Sequence, residues 1–216
     1  MAIHHTLHAR GVYPRELFEA RSFYGARVQR CRHPDLTSYV DDAVSALRGP
    51  IARGDVQRVV LVIKDGDSGG AGAPLERHVF DFVLHPSFLA DKPTKEDVDA
   101  LVRCFAGCVT KIAYLDATVP PLPSGAIAGC TFEIVAYAKR PGVSDDLGAD
   151  AWSEQRVESL GDGAGAEGTE PTTASEGDGA ERRMEFPRRA ERETFPVKST
   201  TTNLVNLDVY VERRKT

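Results

Sequence analysis

The stretch Cys130–Arg140, CTFEIVAYAKR, decides the fold. Its side chains alternate: Phe132, Ile134, Ala136 and Ala138 share one face, and Thr131, Glu133, Val135 and Tyr137 share the other. A period of two is that of a β-strand with one face in a core and the other mixed. Gly129 before it and Pro141-Gly142 after it punctuate its ends. Downstream comes a long stretch with little regular pattern, and then one last strand over Asn203–Arg213, with Val205, Leu207, Val209 and Val211 as its apolar face. That stretch reads as a strap over the strand, not as a second domain. The pattern therefore points to a module that holds a partner's peptide, with no sign of an enzyme.

Upstream, the elements are regular. Residues 1–10 read as the tail of a helix stopped by Gly11, and an aromatic-rich connection with Tyr13, Phe18, Phe23 and Tyr24 forms a short hairpin before Val28. From Pro34 to about Arg53, apolar residues recur every three or four positions (Leu36, Tyr39, Val40, Ala43, Val44, Leu47, Ile51), which predicts an amphipathic helix with a kink or early stop at Gly49-Pro50. The β-branched run Val56–Lys64 predicts a central strand, and Leu75–Leu84 an antiparallel return. Thr94 caps a second long helix, with Asp97 three residues on and a broad apolar stripe from Val98 to Leu115.

Composition narrows the function. A chain of 216 residues with 41% hydrophobic content supplies one core. A net charge of −5 argues against a surface that grips nucleic acid directly, and no apolar run is long enough for a membrane span. The start lacks the apolar region of a signal peptide, so an intracellular protein is expected. Cys104 and Cys108 lie four apart on the second helix without metal-ligand spacing around them, and read as buried reduced thiols; no metal or cofactor is expected. The glycine-rich turn 65–74 lacks the G-K-[ST] ending of a phosphate loop and joins two strands. His33, His78, Asp81 and His85 show no nucleophile–base spacing. Residues 161–180 are glycine- and acid-rich without a large apolar side chain, and are expected to be disordered.

These elements and their motifs resemble the HORMA domain. The motifs, in the family's order, are R-G-V-Y-P (10–14), H-P-D-L-x-x-Y (33–39), V-Q-R-V-V-L-V-I (56–63), L-E-R-x-V-F-D-F (75–82), G-C-T-F (129–132) and V-Y-V-E-R-R (209–214). Within the family, residues 33–39 and 209–213 look most like the accessory subunit of translesion DNA polymerase zeta, and the chain is also similar to the spindle-checkpoint branch. The resemblance implies an α+β fold: a mainly antiparallel sheet on two or three helices, with a core over 1–142, a safety-belt region over 143–202 and a final strand over 203–216. It also implies a first helix about twice as long as the one read here.

The function it implies is capture of an extended partner peptide beside strand 130–140, under the belt. Tyr39, Phe132, Ile134, Val135, Tyr137 and Trp152 would hold the peptide; for Tyr39 and Trp152, packing into the core is the alternative role. Thr194, Asp208 and Tyr210 would face a scaffold polymerase, although Thr194 and Asp208 depart from the family's usual residues. Arg103 and Ala117 would sit where two HORMA domains pair. The implied partners are a segment of the polymerase zeta catalytic subunit, the C-terminal domain of the scaffold polymerase, co-activators of the anaphase-promoting complex and a second HORMA domain. The implied location is the nucleus.

Overall fold

The computed structural model describes residues 1–66, 73–86, 88, 93–122, 129–139, 152–156 and 192–215. Helix α1 (Ala2–Ala9) leads into a hairpin, β1 (Phe18–Phe23) and β2 (Ala26–Cys31), followed by α2 (Pro34–Ala52). Strands β3 (Val56–Lys64) and β4 (Pro74–Leu84) precede α3 (Lys95–Ile112), and β5 (Thr131–Lys139), β6 (Trp152–Arg156), β7 (Arg192–Thr201) and β8 (Val205–Arg214) follow. The six strands β3–β8 form one antiparallel sheet in the order β6-β5-β3-β4-β8-β7, and β1-β2 stands apart.

The alternation in β5 translates directly into two cores. Ile134 and Ala136 are buried on the helix side with Val40, Leu47, Leu61 and Ile63, while Val135 is buried on the other face with Val60, Val62 and Val79. The apolar face of β8 (Leu207, Val209, Val211) packs against Cys104, Cys108 and Ile112 of α3. Both cysteines are free, and burial pushes the Cys108 thiol up to about 11, which keeps it protonated and inert. The capping box at the start of α3 is present: the Asp97 amide donates to Thr94 Oγ1 at 3.2 Å, and the Thr94 amide to the Asp97 carboxylate at 3.1 Å.

Several expectations need correction. Helix α2 runs to Ala52, in line with the expected span to about Arg53, so only the early stop at Gly49-Pro50 is ruled out: Pro50 is buried inside the helix, which Val40, Ala43 and Leu47 fix in the core. The hairpin extends to Cys31 and so includes Val28, which is fully buried. Its two-residue turn uses Tyr24 and Gly25, both at positive φ (51° and 76°), the geometry of a type I′ turn. Tyr24 tolerates this conformation while its ring stacks on Phe105 of α3, with centroids 5.8 Å apart. Val98, counted in the apolar stripe of α3, is exposed. The C-terminal end is a hairpin, not one strand: Arg192–Thr201 pairs with β8 along its length, with a bulge at Pro196 that disguises the alternation. A further strand, β6, lies within the stretch read as patternless. The segment 161–180 lies outside the described residues.

Candidate peptide-binding site

The site begins at Phe132 on the helix-facing side of β5. Tyr39 from α2 meets its ring edge-on, with centroids 5.6 Å apart at 76°, and Tyr13 does the same at 6.2 Å and 89°. Local sequence explains how the rings arrive there. Gly11, at φ +65°, ends α1 and turns the chain, Val12 anchors it in the core, and Tyr13 follows. Pro34 opens α2, so that Leu36 and Tyr39, three residues apart, share a face. Together with Leu17, His33, Asp35 and Thr131, these residues line a pocket of about 510 Å³.

The pocket adjoins a sheet margin that is paired only in part among the described residues. One edge of β5 pairs with β3 from Thr131 to Ala138. On the other edge, β6 pairs only with Val135–Lys139, so among the described residues 131–134 have no strand partner there. An antiparallel strand offers amides and carbonyls from alternate residues along such an edge, which is the chemistry of strand addition. Ile134 and Val135 are buried within the molecule and so can offer a guest main-chain contacts only. Tyr137 lies on the opposite face from Phe132, with the Arg58 and Arg77 guanidiniums 5.9 and 5.7 Å from its ring centre, and Arg77 donates to its hydroxyl. Trp152 opens β6 opposite Lys139.

The other expected sites fall in two places. Asp208 and Tyr210 alternate on β8, and Thr194 on β7 pairs with Glu212, so all three share the sheet face turned away from α3. Thr194 and Asp208 are exposed, but the Tyr210 hydroxyl donates to Asp81 at 3.1 Å, and Asp81 also receives Arg58 at 2.5 and 2.9 Å. Burial, followed by the negative charge of Asp81, pushes the Tyr210 phenol up to about 12. Arg103 on α3 and Ala117 in the single turn after it are both exposed, and Arg103 makes no hydrogen bond or ion pair among the described residues.

Tyr13 was missed as a site residue, although its place in R-G-V-Y-P, straight after a helix-ending glycine, was the available signal. A buried ionic cluster was missed too. Arg10 donates twice to the Glu76 carboxylate, at 2.6 and 2.9 Å, and also reaches Asp116 at 2.9 Å and the Pro120 carbonyl at 2.7 Å. Arg213 donates to the same carbonyl at 2.7 Å, and His78 lies 3.1 Å from Glu76. Burial pushes the Glu76 carboxyl up, but His78 and Arg10 outweigh it and hold it below the usual range. The cluster ties the end of α1, strands β4 and β8 and the loop after α3 together.

No family model matches the chain. It is 31% identical over 140 residues to the mitotic spindle assembly checkpoint protein MAD2B of Gallus gallus, a match covering 64% of this chain and 61% of that protein. The DNA polymerase zeta processivity subunit of Arabidopsis thaliana is 31% identical over 153 residues, covering 70% of this chain and 66% of that one. These matches thus span less than two thirds of the relatives' length. The MAD2B of Danio rerio aligns over 215 residues at 26% identity, covering 99% of this chain and 86% of its own. Among solved structures, a chain of the mitotic checkpoint complex superposes with a TM-score of 0.64 at 21% identity, covering 99% of this chain and 92% of that one. Caenorhabditis elegans HTP-2 bound to the HIM-3 closure motif superposes with a TM-score of 0.57 at 13% identity, covering all of this chain and 86% of that one. At these identities the structures speak for the fold alone. The chain thus has the fold of the HORMA domain, and its sequence is similar to these checkpoint and polymerase zeta relatives.

Proposed function

We propose that this protein is a non-catalytic adaptor that captures an extended segment of a partner along β5 and retains it under the belt, residues 143–202. The observation that carries the reading is the pocket of Tyr13, Tyr39 and Phe132 opening beside edge 131–134, which has no strand partner among the described residues. A guest would pair its backbone with that edge and seat an apolar or proline side chain against the three rings. To use the rest of the edge it has to displace β6. Main-chain hydrogen bonds contribute only ~1 kcal/mol each, so retention comes mostly from the belt and appears in the off-rate.

The relative named as a polymerase zeta processivity subunit supports a specific role. In that role the guest is a segment of the polymerase zeta catalytic subunit with a P-x-x-x-P-like core, and the face with Thr194, Asp208 and Tyr210 meets the C-terminal domain of a scaffold polymerase. The adaptor then joins the two in damage-tolerant DNA synthesis in the nucleus. Arg103 and Ala117 would serve pairing with a second HORMA domain. A second reading, restraint of the anaphase-promoting complex in the spindle checkpoint, draws support from the likeness to the mitotic checkpoint complex chain. Capture of polymerase zeta peptides favours the first role, and capture of checkpoint peptides alone favours the second.

The test of the site is peptide release. Tyr39→Ala and Trp152→Ala are expected to speed dissociation of a captured peptide about ten- to a hundredfold, the effect of losing an aromatic anchor. Wild-type release from both variants would show that the guest sits elsewhere.

A further inference from the structure

A second cavity, of about 470 Å³, lies away from the β5 edge, between α1, β2 and the end of α3. Two arginines from different elements reach it: Arg15 from the single turn after Pro14, and Arg27 from β2. Both are exposed, and neither makes a hydrogen bond or ion pair among the described residues. Most other arginines among the described residues are engaged: Arg10, Arg21, Arg30, Arg53 and Arg58 each hold a carboxylate. The cavity's one acidic residue, Asp116, is bound to Arg10 at 2.9 Å, which leaves the two guanidiniums uncompensated.

The remaining walls are suited to an oxyanion. His5 accepts the Gln29 backbone amide at Nδ1, at 3.1 Å, so its proton sits on Nε2, which is buried and lends the wall a neutral ring, not a donor. His8 lies beside it, and Tyr114, 65% exposed, forms a flat apolar wall at the mouth. Two guanidinium forks, unpaired among the described residues, and the His8 imidazole around one opening match an oxyanion of charge near −2. The volume exceeds what a bare ion fills, so the group carrying the charge enters with it.

We propose that this cavity binds a phosphomonoester, gripped by Arg15 and Arg27 with the attached group against Tyr114. The site stands independently of peptide capture at β5. The phosphate could belong to a phosphorylated side chain of a protein or to a small metabolite, and the experiment separates the two.

The folded chain is titrated at constant ionic strength with inorganic phosphate, a phosphoserine peptide, its unphosphorylated form and adenosine monophosphate, following the His8 and Tyr114 resonances. Saturable shifts are expected with the phosphorylated probes and none with the unphosphorylated peptide. Tighter binding of the phosphopeptide than of adenosine monophosphate assigns a protein source, and the reverse order a metabolite. Arg15→Ala with Arg27→Ala should weaken binding at least tenfold. The paired lysine replacements should retain part of it, since a point charge replaces a fork. His8, whose titration is lowered by burial and Arg15 and raised by Asp116, should titrate at higher pH with phosphate bound. Absence of saturable shifts, an equal response to chloride, or full binding by the double alanine variant overturns the proposal.

Discussion

The residue that ties most of the fold together is Arg10. The residue is 4% exposed, and its guanidinium forms a two-pronged contact with Glu76 while also holding Asp116 and the Pro120 carbonyl. Removing one partner of such a pair leaves a charge stranded in low dielectric, at a cost of about 3–5 kcal/mol. Domains of this kind are stable by roughly 5–15 kcal/mol in total. Arg10→Ala should therefore lower the urea midpoint severely, and Glu76→Gln should follow it. A double variant with both groups made apolar should recover part of the loss, because neither member of the buried pair is then stranded, Asp116 is exposed to solvent, and Arg213 keeps the Pro120 carbonyl. None of this was legible in the sequence, where Arg10 and Glu76 are 66 positions apart and only the fold brings them together.

At the scale of elements, α1 is the most revealing. Its eight residues are too few to hold a helix alone, so it persists by burying Ile3, His4, His5, Thr6 and Leu7. Burial, chiefly, lowers His4 and His5 from 6.5 to about 4. Between those values the unfolded chain takes up protons that the folded chain refuses. Stability is thus fully present above about pH 6.5 and is lost as pH falls toward 4. Denaturant midpoints at pH 7.5 and 5.0 should show this fall, and His4→Leu should reduce it by removing one of the two titrating rings, at no cost in hydrogen bonds among the described residues. The β1-β2 hairpin offers a second check. Tyr24→Ala should cost ~1 kcal/mol through loss of the ring contact with Phe105. Tyr24→Asn should cost less, since asparagine suits the positive φ of the turn. Elements with clean periodicity (α2, β3, β4, α3 and β5) were legible because burial follows the apolar pattern. β7 was not, because Pro196 and the bulge after it break the alternation, and β6 is five residues of mixed polarity.

For the whole molecule, the central feature is the asymmetry of the sheet's two ends. At one end β7-β8 docks on β4 over nine register pairs from Glu76 to Leu84. At the other, the described residues cover β5 only from Val135 to Lys139, and the aromatic pocket lies beside the remainder. Of the expected peptide contacts, Tyr39 and Phe132 meet at that pocket, whereas Ile134 and Val135 turned out to be core residues. Alternation along a strand says which side chains share a face, but not whether that face is already occupied. A belt joining the two ends can be long without preventing closure, since loop-closure entropy rises only slowly with length. On the proposed reading, capture depends on the belt's being continuous.

That dependence can be measured directly. A protease site introduced between residues 161 and 180 allows the belt to be cut after a polymerase zeta peptide has been captured, and the peptide's dissociation rate is compared before and after the cut. The account predicts release at least tenfold faster from the cut protein, with the β7-β8 hairpin still in place. An unchanged rate would mean that no belt holds the guest, and would contradict capture at β5.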